Sequence, residues 1–263
     1  MTYSIHSLHI YPIKSMQGIE LKEAQLCDYG LRYDRQWMLV DENNQFLSQR
    51  KLPHMAQFKT SITGSKLIVS HLNESIELDL TQISNADCEV TIWGDTVKAS
   101  LESDTVNTWF SQQLMQPCKL VKLAKDQQRK VDSNYAKNNE NVGFADGFPL
   151  LVLSYESINL LNSKLSESIN INRFRPNIII NGLAAHEEDN IKAIQIGNIT
   201  IQLAKPCSRC VIPSIDQTTG EKNKGVLPAL VKYRKKDNQV FFGMNGLHQS
   251  LGKLKQNAPV TIK

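Results

Sequence analysis

Residues 194–210 run Ile194-Gln195-Ile196-Gly197-Asn198-Ile199-Thr200-Ile201-Gln202-Leu203-Ala204-Lys205-Pro206-Cys207-Ser208-Arg209-Cys210. Apolar and polar residues alternate on both sides of Gly197-Asn198. A period of two gives a strand one buried and one wet face, and Gly-Asn between two such runs is the chemistry of a two-residue hairpin turn. The second strand ends in a Cys-x-x-Cys pair. One stretch therefore carries both a fold signal and a chemical one.

The same alternation recurs outward from this hairpin. Trp37-Met38-Leu39-Val40 enters Asp41-Glu42-Asn43-Asn44 and leaves through Gln45-Phe46-Leu47, a hairpin pattern. Residues 66–70 and 75–80 flank a turn at Leu72-Asn73-Glu74, and Val90, Ile92 and Val97 bracket Gly94-Asp95. Val106, Trp109, Phe110 and Leu114 recur at helical spacing, with Ser103 or Asp104 as N-cap. A second helix has the stripe Ile158, Leu161 and Leu165 with Ser154 as cap. Pro228 opens a third, running to Tyr233. Residues 177–181, 239–242 and 260–262 read as further strands. No strict βαβ alternation appears, so the fold class is mainly β with a few helices, arranged as two barrel-like or sandwich modules. Between residues 125 and 141 only Val131, Tyr135 and Ala136 relieve a polar run, which predicts a linker or mobile loop. The boundary falls there, giving modules 1–124 and 125–263.

The chain has 263 residues, 41% hydrophobic and 21% charged, which excludes a disordered or collagen-like protein. A net charge of +4, read as evenly spread, gives no argument for nucleic acid. The N-terminus lacks a secretory pattern, and no apolar run approaches the ~18 residues of a membrane span. Five cysteines, scattered except for one pair, fit a reducing cytoplasm rather than a disulfide scaffold.

Cys207 and Cys210 are two thiols without two more at zinc spacing. Val211-Ile212-Pro213 after them denies the helix that a thioredoxin-like pair needs. Arg209 beside Cys210 points to a single-thiolate site, because a guanidinium favours the thiolate that binds soft metals or attacks electrophiles. Spacing alone leaves open which cysteine acts. Anion-binding groups recur elsewhere: Lys14-Ser15 after the first strand, Arg35 at a hairpin mouth, and Arg173 and Arg175, expected to share one face of a strand start. Arg50-Lys51 could approach the same anion but reads first as a solvated turn, the three tryptophans read as core, and none of the six histidines has a partner in sequence. P-loop, dinucleotide and nucleophile-elbow templates are absent.

Six motifs in order resemble the MOSC superfamily, in particular its branch of YcbX-type proteins and the mitochondrial amidoxime-reducing component. They are Tyr11-Pro12-Ile13-Lys14-Ser15, Asp34-Arg35-Gln36-Trp37, Phe144-Ala145-Asp146-Gly147-Phe148-Pro149, Phe174-Arg175-Pro176-Asn177, Lys205-Pro206-Cys207-Ser208-Arg209-Cys210 and Phe242-Gly243-Met244-Asn245. The resemblance implies a β-rich N-terminal module whose first strand helps build the site, followed by a MOSC β-barrel. It implies a molybdenum–pterin cofactor (Mo-molybdopterin), with Lys14, Ser15, Arg35, Arg175 and Asn177 on the pterin or its phosphate. Cys210 is then the molybdenum ligand, Ser208 and Arg209 line the site, and Cys207 matches a non-ligating position.

The activity implied is reduction of N-hydroxylated compounds (hydroxylamines, N-hydroxylated nucleobases, amidoximes). No cysteine follows Cys210, so the [2Fe–2S] domain of many bacterial relatives is not expected. Electrons are then expected from a separate flavodoxin, ferredoxin or cytochrome-type donor with its reductase. Neither a membrane anchor nor a nucleic-acid partner is implied. The competing readings are a sulfur-carrier or molybdenum-cofactor delivery protein using a Cys210 persulfide, and a non-catalytic β-rich binding module.

Overall fold

The computed structural model describes residues 2–82 and 87–263. The chain opens with β1 (Tyr3–Ile10) and the short strands β2 (Ile19–Leu21), β3 (Glu23–Cys27) and β4 (Gly30–Leu31). β5 (Trp37–Val40) is buried at all four positions, as its unbroken apolar run requires. A meander follows of β6 (Lys59–Thr63), β7 (Lys66–His71) and β8 (Glu74–Asp79). β9 (Cys88–Ile92) and β10 (Asp95–Leu101) pair antiparallel. α1 (Asp104–Leu114) is capped by Ser103, whose side chain accepts from Val106 N, and it buries the four apolar positions of its stripe. β11 (Lys119–Leu123) then joins β5 to β10.

The second half contributes β12 (Leu150–Ser154), α2 (Tyr155–Asn162), β13 (Ile178–Asn181), β14 (Ala193–Ile196), β15 (Ile199–Ser208), α3 (Val226–Arg234), β16 (Lys235–Lys236), β17 (Gln239–His248), β18 (Gly252–Lys255) and β19 (Pro259–Ile262). Seven strands close a barrel in the order β12-β13-β1-β19-β14-β15-β17, with β17 returning to β12. Closure leaves those strands no free edge. Ile5, Leu8, Val152, Ile178, Ile194, Ile201 and Met244 are among the side chains of its core. The Gly197-Asn198 turn joins β14 to β15 with Ile196 opposite Ile199, and Gly197 adopts φ 58°.

β1 thus belongs to the barrel, although it comes first in sequence. Beyond Ile10 the chain crosses to the other sheets: Lys14 N donates to Trp37 O at 2.8 Å. β12, α2 and β13 form one parallel βαβ unit, a single unit that does not repeat into the alternation of an α/β fold. Two sequence expectations need correction. α3 starts at Val226, so Pro228 is its third residue rather than its first. Residues 125–141 pack instead of hanging free. Val131, Ala136 and Val142 are buried with Leu247, and Val131 N donates to Glu140 O while Val142 N donates to Arg129 O. The stretch is a loop without helix or strand, as expected, but Val131 and Ala136 anchor it to the core beside Val142.

Glu188 is fully buried against the first turn of α2, accepting from Ser157 Oγ at 3.0 Å. Burial pushes its carboxyl up to about 7, against hydrogen bonds from backbone and Ser157 that pull it down. The folded state then holds a proton that the unfolded chain releases near 4.5, so stability falls as pH rises between those two values. We expect wild type to lose on the order of 1–3 kcal/mol across that window, and Glu188→Gln to lose none of it, in urea unfolding from pH 4.5 to 8.

A second expectation concerns Gly243, at φ 77° in β17. A Cβ there would lie 2.1 Å from Leu153 Cδ2 and 2.9 Å from Val152 O. Because the second contact is backbone, Gly243→Ala should cost about 2–4 kcal/mol in the same assay.

Candidate functional site

A cleft of about 630 Å³ opens where the barrel meets the sheets of the first half. Lys14, Ser15, Arg35, Arg175, Asn177, Ser208, Arg209 and Cys210 all line it, together with Cys207 and Arg173. Seven cationic side chains and a single carboxylate, Asp146, face this space.

Arg35 is the best-anchored of the cations. Its Nη1 donates to Asp34 Oδ2 at 2.6 Å and to Asn177 Oδ1 at 3.1 Å, and its Nη2 donates to Arg175 O at 2.9 Å. Asn177 is 1% exposed and fully engaged, since Leu151 N donates to its Oδ1 and its Nδ2 donates to His9 O. It therefore holds Arg35 and the barrel strands in register. The guanidiniums of Arg35 and Arg175 lie 4.4 and 4.3 Å from the centre of the Tyr11 ring. Burial pushes the Tyr11 hydroxyl up to about 12, although both arginines pull it down. Burial and the charge of Arg35 push Arg175 down to about 10, still cationic at neutral pH. Tyr11 Oη, Arg173 Nη1 and Arg175 Nη2 are buried without a partner.

Three site residues, Ser15 (φ 70°), Arg35 (φ 47°) and Arg175 (φ 56°), sit in the left-handed region, which costs a non-glycine residue on the order of 1 kcal/mol each. For Arg175 this replaces the expected strand geometry. Residues 171–174 form a 3-10 turn that Arg175 ends, with its N donating to Asn172 O. Arg173 and Arg175 reach the same cleft through that turn, not through alternation along a strand.

The cysteine end departs from expectation in one respect. Arg209 is turned away from Cys210 and donates to Phe242 O (2.9 and 2.7 Å) and Phe174 O (3.1 Å). β15 ends at Ser208, and the charge of Arg209 acts on Cys207, two residues back. Burial raises the Cys207 thiol, and Arg209 offsets that only in part. The guanidinium at Cys210 is Arg50, whose Nε lies 3.4 Å from Sγ. Arg50 stacks on Trp93, 4.3 Å from the ring centre, and its Nη2 is 3.7 Å from Asp146 Oδ2.

Sequence ties Arg50 to the anion site at most, and leaves Trp93 to the core, because neither shares a segment with the cysteines. The sequence signals are an arginine next to a turn and a Trp-Gly pair at a hairpin tip; the structure gives Trp93 φ 55° and 43% exposure, outside the core. Asp146, quoted only within a motif, takes the Lys14 ammonium at 2.5 Å and the Trp93 Nε1–H at 3.3 Å. Burial would raise its carboxyl, but Lys14 and Arg50 overrule this and hold it well below the usual carboxylate range. Its side chain keeps 59% exposure because it borders open cleft. Buried Arg129 fixes this wall, donating to the carbonyls of Gly143, Ala145 and Asp146.

Removing the Arg50 guanidinium should leave Cys210 Sγ without its donor and Cys207 unchanged. We expect Arg50→Ala to slow alkylation of Cys210 by iodoacetamide about three- to tenfold, with Cys207 as internal control, read by peptide mass spectrometry.

Among the described residues no three of His, Cys, Asp and Glu are grouped to hold a metal ion, and no helix is long and apolar enough to cross a membrane. A family model described as the MOSC N-terminal beta barrel domain matches residues 2–117, and one described as the MOSC domain matches residues 139–261. Mitochondrial amidoxime-reducing component 1 of Mus musculus is 29% identical, with 88% of this chain and 71% of that protein covered. Mitochondrial amidoxime reducing component 2 of Rattus norvegicus is also 29% identical, over 98% of this chain and 82% of that protein. Molybdenum cofactor sulfurase of Oryza sativa subsp. japonica is 31% identical over 91% of this chain, which spans 32% of that protein's length.

Proposed function

Because the chain belongs to the MOSC family, we propose that it is a molybdenum-cofactor-dependent reductase of N-hydroxylated compounds, with Cys210 as the one protein ligand to the metal. The observation that carries this reading is the convergence of seven residues from four separate segments on a single cleft beside the Cys210 thiol, which accepts from a guanidinium. A cleft of this volume lies within the range of cofactor sites, about 300–1,000 Å³. Its cations outnumber its carboxylates, and it leaves guanidinium nitrogens buried and unpaired. Lys14, Arg35, Arg50 and Arg173 have carboxylate partners, but Arg175, Arg209 and Lys205 have none among the described residues, and that remaining surplus suits an anion, because uncompensated charge near a buried site is costly. A phosphate-bearing pterin fits that donor set, and a soft thiolate suits molybdenum.

The bound cofactor supplies the two-electron redox couple. In the net reaction the N–O bond breaks, two electrons and two protons enter, and an amine or amidine leaves with water. The protein's share is placement. Arg175 and Arg35 would hold the anionic part of the cofactor, with Lys14 adding charge from within its pair with Asp146, and Arg50 would keep Cys210 Sγ in place from the Trp93 side. Asp146, kept ionised, offers an acceptor to a substrate N–H or O–H and does not itself donate the proton.

The match to a sulfurase supports one alternative, a carrier that passes sulfur from a Cys210 persulfide. Protein purified from a host that makes the cofactor decides between them. We expect about one molybdenum per chain by elemental analysis and reduction of benzamidoxime. Cys210→Ala should lose both, while Cys207→Ala keeps most of each. A Cys210 peptide heavier by one sulfur atom, in protein without molybdenum or turnover, would favour the carrier.

A further inference from the structure

The net charge of the chain is local. Of 30 basic and 26 acidic residues, six and two fall within residues 221–239, which leaves 24 of each over the rest of the chain. The even spread expected from sequence therefore hides one basic segment of +4. It comprises Lys222, Lys224, Lys232, Arg234, Lys235 and Lys236 against Glu221 and Asp237. Arg234 is paired with Asp189 at 2.5 Å. The five lysines are exposed and none of them enters an ion pair among the described residues.

Sheet register places this segment at the cleft. Arg209 N donates to Val240 O at 2.7 Å, Lys235 pairs with Val240, and Lys236 pairs with Gln239. Gln239 and Val240 themselves line the cleft. The exposed edge β16 thus runs two strand spacings from the Arg209-Cys210 backbone, about 10 Å. On the neighbouring side Asn223 N donates to Ser214 O, which sets Lys222 and Lys224 beside the cleft-lining turn Ile212–Ser214.

Two structural roles account for part of this charge. Lysines on a sheet edge discourage pairing with other chains, and Lys232 and Arg234 suit the C-terminal turn of α3. Neither covers Lys222 and Lys224, which precede α3, where cations oppose the helix dipole and the first turn carries no acid. Val231, 44% exposed, adds an apolar spot on the same helix. A small apolar area among unpaired charges is the make-up of a transient, electrostatically steered interface.

We propose that the face from Lys222 to Lys236 is the docking surface for an acidic redox protein that delivers electrons to the cleft. The inference rests on the reductase reading and assigns its donor by surface charge. The donor is oxidised by two electrons for each N–O bond broken, and the protons come from water.

The test uses the molybdenum-loaded protein, benzamidoxime, and two reductants: reduced methyl viologen, and an acidic flavodoxin kept reduced by its NADPH-dependent reductase. In Lys235→Glu/Lys236→Glu we expect the flavodoxin concentration giving half-maximal rate to rise at least tenfold at low salt. The difference should vanish as sodium chloride is raised, with the viologen-driven rate within twofold of wild type. Lys235→Arg/Lys236→Arg should behave as wild type. An unchanged flavodoxin dependence, or a parallel fall in the viologen rate, overturns the proposal.

Binding of oxidised flavodoxin to wild type and to the Glu variant, measured at low salt without turnover, decides the matter even if no substrate is reduced. Weaker binding by the variant supports the surface. Equal binding, or retention of single-stranded RNA in place of flavodoxin, sinks it.

Discussion

The Arg35 guanidinium is the constraint on which the rest of this site depends. It ties Asp34, Asn177 and the Arg175 carbonyl together while lying over Tyr11. Through Asp34, whose Oδ1 accepts from Tyr11 N, it reaches the exit of β1. Through Asn177 it reaches β12, at Leu151 N, and His9 O in β1. One partly buried charge, satisfied by a carboxylate, an amide and a carbonyl, thereby sets three chain segments relative to one another. Such a network holds its geometry only while every member is paired.

From that anchor the cleft acquires an uneven electrostatic character. On one side Lys14, Asp146, Arg50 and Trp93 form a closed set of pairs and stacks around the mouth. On the other, Arg175 and Arg173 retain unpaired nitrogens beside the orphan hydroxyl of Tyr11. Asp216 pairs with Arg173 at 2.5 Å, but among the described residues no carboxylate pairs with Arg175, whereas Arg50 supports the Cys210 sulfur. The asymmetry divides the cavity into a place for an anion and a place for chemistry at one thiol.

Much of the fold was legible because its strands are amphipathic and its turns have strong chemistry. The hairpin through Gly197-Asn198 and the cap at Ser103 needed only local rules. The site residues in the six motifs were legible by resemblance, since polar residues such as Lys14 and Arg175 in isolation look like ordinary solvated surface. The misreadings have a common origin. Arg209 is next to Cys210 in sequence, yet its guanidinium is committed to the carbonyls of Phe242 and Phe174. Arg173 and Arg175 were given strand geometry where a 3-10 turn ended by a left-handed residue stands.

What the sequence by itself determined was the alternation of faces, the helix caps, the turn positions and the inventory of anion-binding and soft-ligand groups. Those depend on interactions within a few residues along the chain. Only the tertiary structure decided that β1 joins a barrel made otherwise of second-half strands, and that Arg50, 160 positions from Cys210, supplies the donor to its sulfur. It also decided that the lysines of residues 222–236 flank the same cleft. Barrel closure brings such segments together through hydrogen bonds and packing between residues far apart in the chain, and no local pattern encodes which distant partner a side chain will meet.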